Sequence, residues 1–293
     1  MNNNNDQQHV REDKKGVLYM VPTPIGNLED MTYRAVRILS EVQYIAAEDT
    51  RHSIKLLNHF NIQTPLVSYH EHNKYKKGEV IIQHILDGHT VALVSDAGMP
   101  GISDPGLELV QKAIEQNIQI IPLPGANAAL TGLIASGLST TSFTFIGFLP
   151  RDKKSREGIL ETYQYESATI MLYESPYRVQ QTLSLLLTMW GNRNVVIARE
   201  LTKKYEEFIR GSLSTCIEQL EGKEVKGECC IFVEGASEAE KEQGQWWAAL
   251  TIPQHVIHYI DQGHTKKEAI KQVAVDRDTP KREIYAIVMN MTI

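Results

Sequence analysis

SDAGMPGISDPG, residues 95–106, follows directly on the apolar run VALV, residues 91–94. An amphipathic stretch, residues 107–115, comes next. The three pieces read as a buried strand, a shaped loop and a helix. Gly admits positive φ and lets backbone approach a ligand closely, and Pro holds a loop in one shape before the ligand arrives. Outward from this stretch the same order repeats. Upstream, the apolar run 16–21 ends in PTPIGNL (22–28), where Asn27 is placed to cap a helix with Leu28, Met31, Ala35, Ile38, Leu39 and Val42 on one face. A second strand, 44–47, ends in EDTR (48–51); residues 54–60 and 80–86 read as helical, and 65–68 as extended. Downstream, a strand at 118–121 ends in PGANA (124–128). Strands alternating with helices imply a mainly parallel sheet covered on both faces.

A turn at 122–125 reads as a hinge, and a helix of small residues at 126–135 opens a second alternating series. Its strand candidates are 143–146, 168–172, 195–198, 208–210 and 229–233, with helical patterns at 158–163, 179–189 and 213–220. Residues 236–245 are polar and charged, and three short helical patterns follow at 246–262, 266–275 and 281–289. The expected organisation is a disordered segment (1–15), two α/β domains (16–124 and 125–235), and a linker with a small helix-turn-helix-like tail (236–293).

Composition narrows the function classes. The 293 residues are 42% hydrophobic and 23% charged, ordinary globular usage. The formal net charge of −6 argues mildly against a dedicated nucleic-acid binder, although local patches matter more than the sum. The three cysteines, Cys216, Cys229 and Cys230, form no Cys-x-x-Cys pair, which fits a reducing cytoplasm better than a disulfide framework or zinc site. The adjacent pair reads as small core residues. The opening MNNNNDQQ lacks the basic and apolar blocks of a signal peptide, and no apolar run approaches a membrane span. His70, His72, His52 and His59 supply no convergent ligand set, so no metal is expected. Neither the P-loop pattern nor a G-x-G-x-x-G after the first strand is present, which disfavours nucleoside triphosphates and NAD. In an open parallel sheet, ligands sit beyond the carboxyl ends of the strands, and here four such ends carry Gly/Pro loops.

These loops resemble the tetrapyrrole methylase superfamily, and within it the branch of small-subunit ribosomal RNA cytidine-2′-O-methyltransferases. The resemblance rests on PTPIGNL, EDTR, SDAGMPGISDPG and PGANA, and on SGL (136–138) and FIGFLP (145–150). It continues through YESP (173–176) followed by Arg178, ARELTK (198–203), YEE (205–207) and KGE (226–228). It runs from about residue 16 to 235, and SDAGMPGISDPG is its most specific segment. It implies two α/β domains with S-adenosylmethionine in the cleft between them, and a homodimer. Residue by residue, it places Pro24 at the cofactor from the first loop, Ser95, Asp96, Ala97 and Gly98 along methionine and ribose, and Ile102 and Ser103 against the same ligand. Pro124, Gly125 and Ala126 form the hinge side, and Tyr173, Glu174, Ala198, Arg199 and Gly227 close from the second domain. The porphyrinoid enzymes of the superfamily carry a Gly-rich turn where this chain has PTPIGNL, a departure that favours the RNA branch.

A ribose 2′-OH is a weak acid, so methyl transfer to it calls for a proton acceptor or alkoxide stabiliser. Asp49 or Glu48, beside Arg51, are candidates; an Asp–Arg pair that only shapes the loop is the equal alternative. Contacts to RNA phosphates are expected from Arg151, Lys153, Lys154 and Arg156, with Arg178 and Lys203. The basic tail, with Lys266, Lys267, Lys271, Arg277, Lys281 and Arg282, fits contact with ribosomal RNA or a packing role equally well. The expected partner is small-subunit ribosomal RNA or the small ribosomal subunit, with no membrane. The competing readings are a porphyrinoid C-methyltransferase of the same fold and a non-enzymatic nucleic-acid binder.

Overall fold

The computed structural model describes residues 15–244 and 246–289. The segment 1–15, expected to be disordered, lies outside them except for Lys15. Two compact units form: one holds residues up to 161 with 168–234, the other 162–167 with those from 235 onward. Both sheets fall in the first unit, on either side of the sequence boundary at 124/125.

The first sheet contains β1 (Val17–Met20), β2 (Tyr44–Ala47), β3 (Leu66–Ser68), β4 (Val91–Val94) and β5 (Gln119–Pro122). Their order is β3-β2-β4-β1-β5 and every pair is parallel. Four helices cover it: α1 (Tyr33–Glu41), α2 (Thr50–His59), α3 (Lys74–Leu86) and α4 (Leu107–Glu115). The strand period of two sorts the core. Ile45, Ala47, Ala92 and Val94 pack with Ile38 and Leu39 of α1 and Leu57 of α2. Ala46, Val91 and Leu93 face the opposite way, onto Ile81 and Ile85 of α3 and Leu109 of α4. The first helix starts later than its sequence suggests. Asn27 caps only a single 3-10 turn, Leu28–Asp30. Met31 returns to extended backbone, and Thr32 caps α1 by accepting from the Ala35 N–H.

The second sheet contains β6 (Phe143–Phe148), β7 (Thr169–Glu174), β8 (Asn194–Arg199), β9 (Glu207–Ser212) and β10 (Cys229–Val233), in the order β6-β7-β10-β8-β9. It is packed by α5 (Ala128–Ser136), α6 (Lys153–Tyr163), α7 (Val179–Trp190) and α8 (Leu213–Leu220). Its pairing departs from the parallel arrangement that strand–helix alternation suggests. Only β6–β7 is parallel; β10 runs antiparallel to β7 and β8, and β8 antiparallel to β9. The cause is local: β8 and β9 are joined by a turn with no crossover helix, and only a crossover makes neighbours parallel. The consequence reaches the site, because β7 ends where β10 begins. Cys229 pairs with Glu174 and Cys230 with Tyr173.

The tail folds as α9 (Glu238–Gly244), α10 (Ile252–Asp261), α11 (Lys266–Asp276) and α12 (Lys281–Met289). Val256, Ala269, Ile270, Val273, Ile284 and Val288 form its core. Thr251 and Thr265 each close a capping box, which sets the starts of α10 and α11. The helical pattern from Trp246 therefore becomes helix only after Thr251. Arg277 donates to the carbonyls of Trp247 and Leu250, so it braces the tail from within.

Candidate cofactor and active site

Strand order decides which loops meet. In the first sheet β1 lies between β4 and β5, and β4 between β1 and β2, so the loops that follow β1, β2, β4 and β5 share one edge. Thr23 and Gly98 exchange backbone hydrogen bonds at 2.9 Å and lock the first loop to the 95–106 loop. The Thr23 hydroxyl donates to the Ser95 carbonyl at 3.1 Å, and the Ser95 hydroxyl to the Gly98 carbonyl at 3.0 Å. Gly98 needs its φ of 81°, and a Cβ there would lie 3.3 Å from Ile25 Cγ2. Gly125 carries no Cβ for a stronger reason: one would lie 2.6 Å from the Pro22 ring.

A cleft of about 330 Å³ opens beside these loops. The first sheet's loops contribute Ile25, Asp96, Ala97, Gly98, Met99, Ile102, Ser103 and Asp104, and Asn127 and Ala128 come from the start of α5. The second sheet contributes Phe148, Tyr173, Glu174, Ser175, Pro176, Leu201, Glu228, Cys229 and Cys230. Its size falls in the range of small-molecule sites, about 300–1,000 Å³. Its walls join apolar side chains, suited to a nucleobase, with carboxylates, suited to a cationic or hydroxyl-bearing ligand. Among the described residues no group of His, Cys, Asp and Glu is arranged to hold a metal ion.

Of the residues expected at a cofactor, Asp96, Ala97, Gly98, Ile102, Ser103, Tyr173 and Glu174 line this cleft. Pro24, Ser95, Pro124, Gly125, Ala126, Ala198, Arg199 and Gly227 stand outside its lining. Ser95 is buried and shapes the loop, and Ala198 is fully buried beside Cys230, its partner on the neighbouring strand. Arg199 pairs with Glu207. Gly227, at φ 84°, makes room for the Glu200 side chain. Glu174 lines the cleft but is 2% exposed, and its carboxylate is taken up: it accepts from the Ser175 N–H and the Thr182 hydroxyl and lies 3.4 Å from Arg178 Nε.

The charged candidates separate sharply. The Asp49 carboxylate caps α2 by accepting from the Arg51 N–H and pairs with the Arg51 guanidinium at 2.8 Å. Those Arg51 bonds hold it well below the usual carboxylate range, which makes it a poor proton acceptor near neutrality. Glu48 goes the other way, raised by burial and by Asp96, yet it stands outside the cleft lining. Asp104, half-buried in the lining, is pushed up to about 7 by burial and by Glu48 and Asp96. Burial also lifts the thiols of Cys229 to about 11 and Cys230 to about 12, keeping both protonated.

The expected phosphate-binding residues divide as well. Arg151, Lys153 and Lys154 are exposed, Lys153 with Glu157 3.7 Å away. Arg156 is 8% exposed, so the expectation of a surface arginine there does not match its burial; it sits one helical turn in from the exposed start of α6 and faces the fold. Arg178 donates to the carbonyls of Leu149 and Pro150. Lys203 is held by Glu200 at 2.9 Å and Glu228 at 2.8 Å, with its stem across Gly26, where a Cβ would come within 2.4 Å. Lys203 thus ties the first loop to the turn after β8, where Glu200 (φ 52°) and Thr202 (φ 65°) hold strained backbone beside Leu201 of the cleft.

Sequence reasoning assigned no role to Asp104, Ser175, Pro176 or Phe148, although all four lie in the quoted motifs, and it read Cys229 and Cys230 only as core. Alternation along β10 could not reveal that its first two residues meet the end of β7.

Residues 17–217 match the family model described as Tetrapyrrole (Corrin/Porphyrin) Methylases. The chain is 57% identical to the ribosomal RNA small subunit methyltransferase I of Halalkalibacterium halodurans, over 96% of this chain and 97% of that one. It is 53% identical to the protein of the same name from Bacillus subtilis, over 92% and 93%. Among solved structures, a uroporphyrin-III-C-methyltransferase from Thermus thermophilus superposes with a TM-score of 0.54 at 18% identity, covering 79% of this chain and 98% of that one. At that identity the likeness concerns the fold.

Proposed function

This chain belongs to the ribosomal RNA small subunit methyltransferase I family of tetrapyrrole methylases, and from that membership we propose that it methylates small-subunit ribosomal RNA with S-adenosylmethionine, at the ribose 2′-OH of a cytidine. The observation that carries the reading is the end-to-end match to relatives of that name, which extends past the two sheets into the tail. The cleft supports the cofactor half. Ile25, Met99, Ile102, Ala128 and Leu201 offer the apolar wall an adenine needs, and Asp96 and Asp104 supply carboxylates that would suit the cationic and hydroxyl-bearing parts of the cofactor. When bound, S-adenosylmethionine supplies an electrophilic methyl carbon on a positively charged sulfur. The chain's part is to align the attacking oxygen, exclude water and receive the hydroxyl proton.

The RNA half of the proposal rests on the rim. Phe148 lines the cleft and is 58% exposed, and Tyr177, next to Pro176 of the lining, is 88% exposed. Exposed aromatic faces stack unpaired bases, which is how single-stranded RNA is commonly read. Arg151, Lys153 and Lys154 follow β6 beyond Phe148 and are placed to meet phosphates. The proposal includes a homodimer, supported by Leu130 and Ile134, exposed one turn apart on α5. It also includes a cytoplasmic site, where ribosomal subunits are found, and three unbridged thiols suit that compartment. No helix among the described residues is long and apolar enough to cross a membrane.

The deciding experiment incubates the protein with methyl-labelled S-adenosylmethionine and unmodified small ribosomal subunits, naked ribosomal RNA, DNA or a porphyrinoid. A single labelled, alkali-resistant cytidine linkage is the expected result, because 2′-O-methylation blocks backbone cleavage there. Label in the porphyrinoid and none in RNA would transfer the chain to the other branch of its fold.

A further inference from the structure

The carboxylates around the cleft are unequal. Asp49 is bound to Arg51, Glu174 is saturated by Ser175, Thr182 and Arg178, and Glu228 is bound to Lys203. Asp96 accepts from the Asp49 N–H at 3.1 Å. Asp104 remains. It lines the cleft from a loop whose path is fixed by Gly98, Gly101 and Gly106 at positive φ and by Ser103 held at φ 61°. Left-handed backbone at a non-glycine residue clusters at active sites and ligand clamps. Groups from three directions act on Asp104: Glu48 from the end of β2, Asp96 and the Ser95 hydroxyl from the end of β4, and Tyr173 from the end of β7. The two charged ones are both acidic.

We propose that Asp104 is the catalytic residue that receives the hydroxyl proton, and that its carboxylate distinguishes the cationic cofactor from the neutral product left after transfer. The inference rests on the reading of the cleft as the S-adenosylmethionine site. In the step, the ribose oxygen forms its bond to the methyl carbon while the carbon–sulfur electron pair stays with sulfur. The O–H bond breaks, and its proton goes to an Asp104 oxygen. Charge explains the timing. A sulfonium near a carboxylate favours the ionised form, lowering its pKa by about 1–3 units. Asp104 is thus a base while the cation is present. Once the cation is gone, the repulsion from Glu48 and Asp96 and the burial that push it up to about 7 act alone, and it keeps the proton.

The test needs no RNA in its first arm. Calorimetric titration of the whole protein with S-adenosylmethionine and with S-adenosylhomocysteine, in buffers of different ionisation enthalpy from pH 6 to 8, reads proton release directly. The expected result is that S-adenosylmethionine binding releases about half a proton near pH 7 and strengthens roughly 5- to 10-fold from pH 6 to 8. S-adenosylhomocysteine binding should do neither. D104N should bind both ligands with no proton release, its retained binding of the neutral ligand showing an intact fold, and D104E should restore the release. In the second arm, D104N should lose about 10²- to 10⁴-fold in transfer rate, together with the pH dependence seen in the parent. A D104N variant that still releases the proton, or transfers at a near-parental rate, overturns the proposal. Release lost instead in E48Q or D96N assigns the proton to that residue and overturns it too. No binding of S-adenosylmethionine by the parent chain would bring down the cleft reading itself; binding without Asp104-dependent release would bring down the inference alone.

Discussion

A carboxyl with a folded-state pKa near 7 makes stability depend on pH in an uncommon direction. For Asp104, the folded state holds the proton up to about 7, while the unfolded chain gives it up near the ordinary value of about 4. Between those two values the folded state binds more protons, so stability falls as pH rises, and the loss is complete above the folded pKa. D104N removes the ionisable group. It is therefore expected to melt higher than the parent at pH 8, with the gap closing toward pH 4, when unliganded protein is followed by thermal denaturation across that range. A gap independent of pH would mean that Asp104 is not held neutral. Asp49 shows the same physics reversed: it sits in the motif that drew attention as a base, but Arg51 stabilises its ionised form. Both aspartates were visible in the sequence. Which was paired and which was left among acids was not, because Glu48 reaches Asp104 from the end of another strand, and the fold of the 95–106 loop decides that Asp96 lies near it.

Elements were legible where hydrophobic period and capping agreed. All five strands of the first sheet and their parallel order of building follow from the strand–helix alternation, and each of the other sheet's strands also stands near its apolar run. Start points slipped where two caps compete, as at Asn27 and Thr32. Direction slipped in the second sheet, since a short link such as that between β8 and β9 carries no helical period to announce a reversal. Packing between elements leaves a testable mark at Gly132 of α5. A Cβ there would lie 2.3 Å from the Phe232 ring of β10, which is fully buried. Alanine usually improves a helix by about 1 kcal/mol over glycine, but overpacking costs about 1–3 kcal/mol, and a ring with no room to move puts the result on the unfavourable side. Gly158 in α6 is the control, with nothing within 4 Å of its added Cβ. In urea unfolding, G132A should lower the midpoint and G158A raise it. Equal midpoints for the two would show that α5 and β10 do not pack this closely.

For the whole molecule the cleft predicts a linked stabilisation. Its walls come from both sheets of one compact unit, so a ligand that fills it must stabilise that unit as a whole. At about 100 times its dissociation constant a ligand adds about 2.7 kcal/mol, and for a unit of this size each kcal/mol raises the melting temperature by roughly 2–4 °C. S-adenosylmethionine is thus expected to raise it by about 5–10 °C in differential scanning calorimetry; no shift at saturation would remove the cleft as its site. The amino-acid sequence by itself determined the layered α/β architecture, the Gly/Pro loops at the strand ends, the separate helical tail and the family, because these depend on local period, turn chemistry and long motifs read in order. Only the tertiary structure decided the antiparallel course of the second sheet, the burial of Arg156, the bracing of Lys203 against Glu200 and Glu228, and the exposure of Asp104 to the cleft. Each depends on which distant segments become neighbours, and the charge and burial of a side chain are set by those neighbours rather than by the residues beside it in the chain.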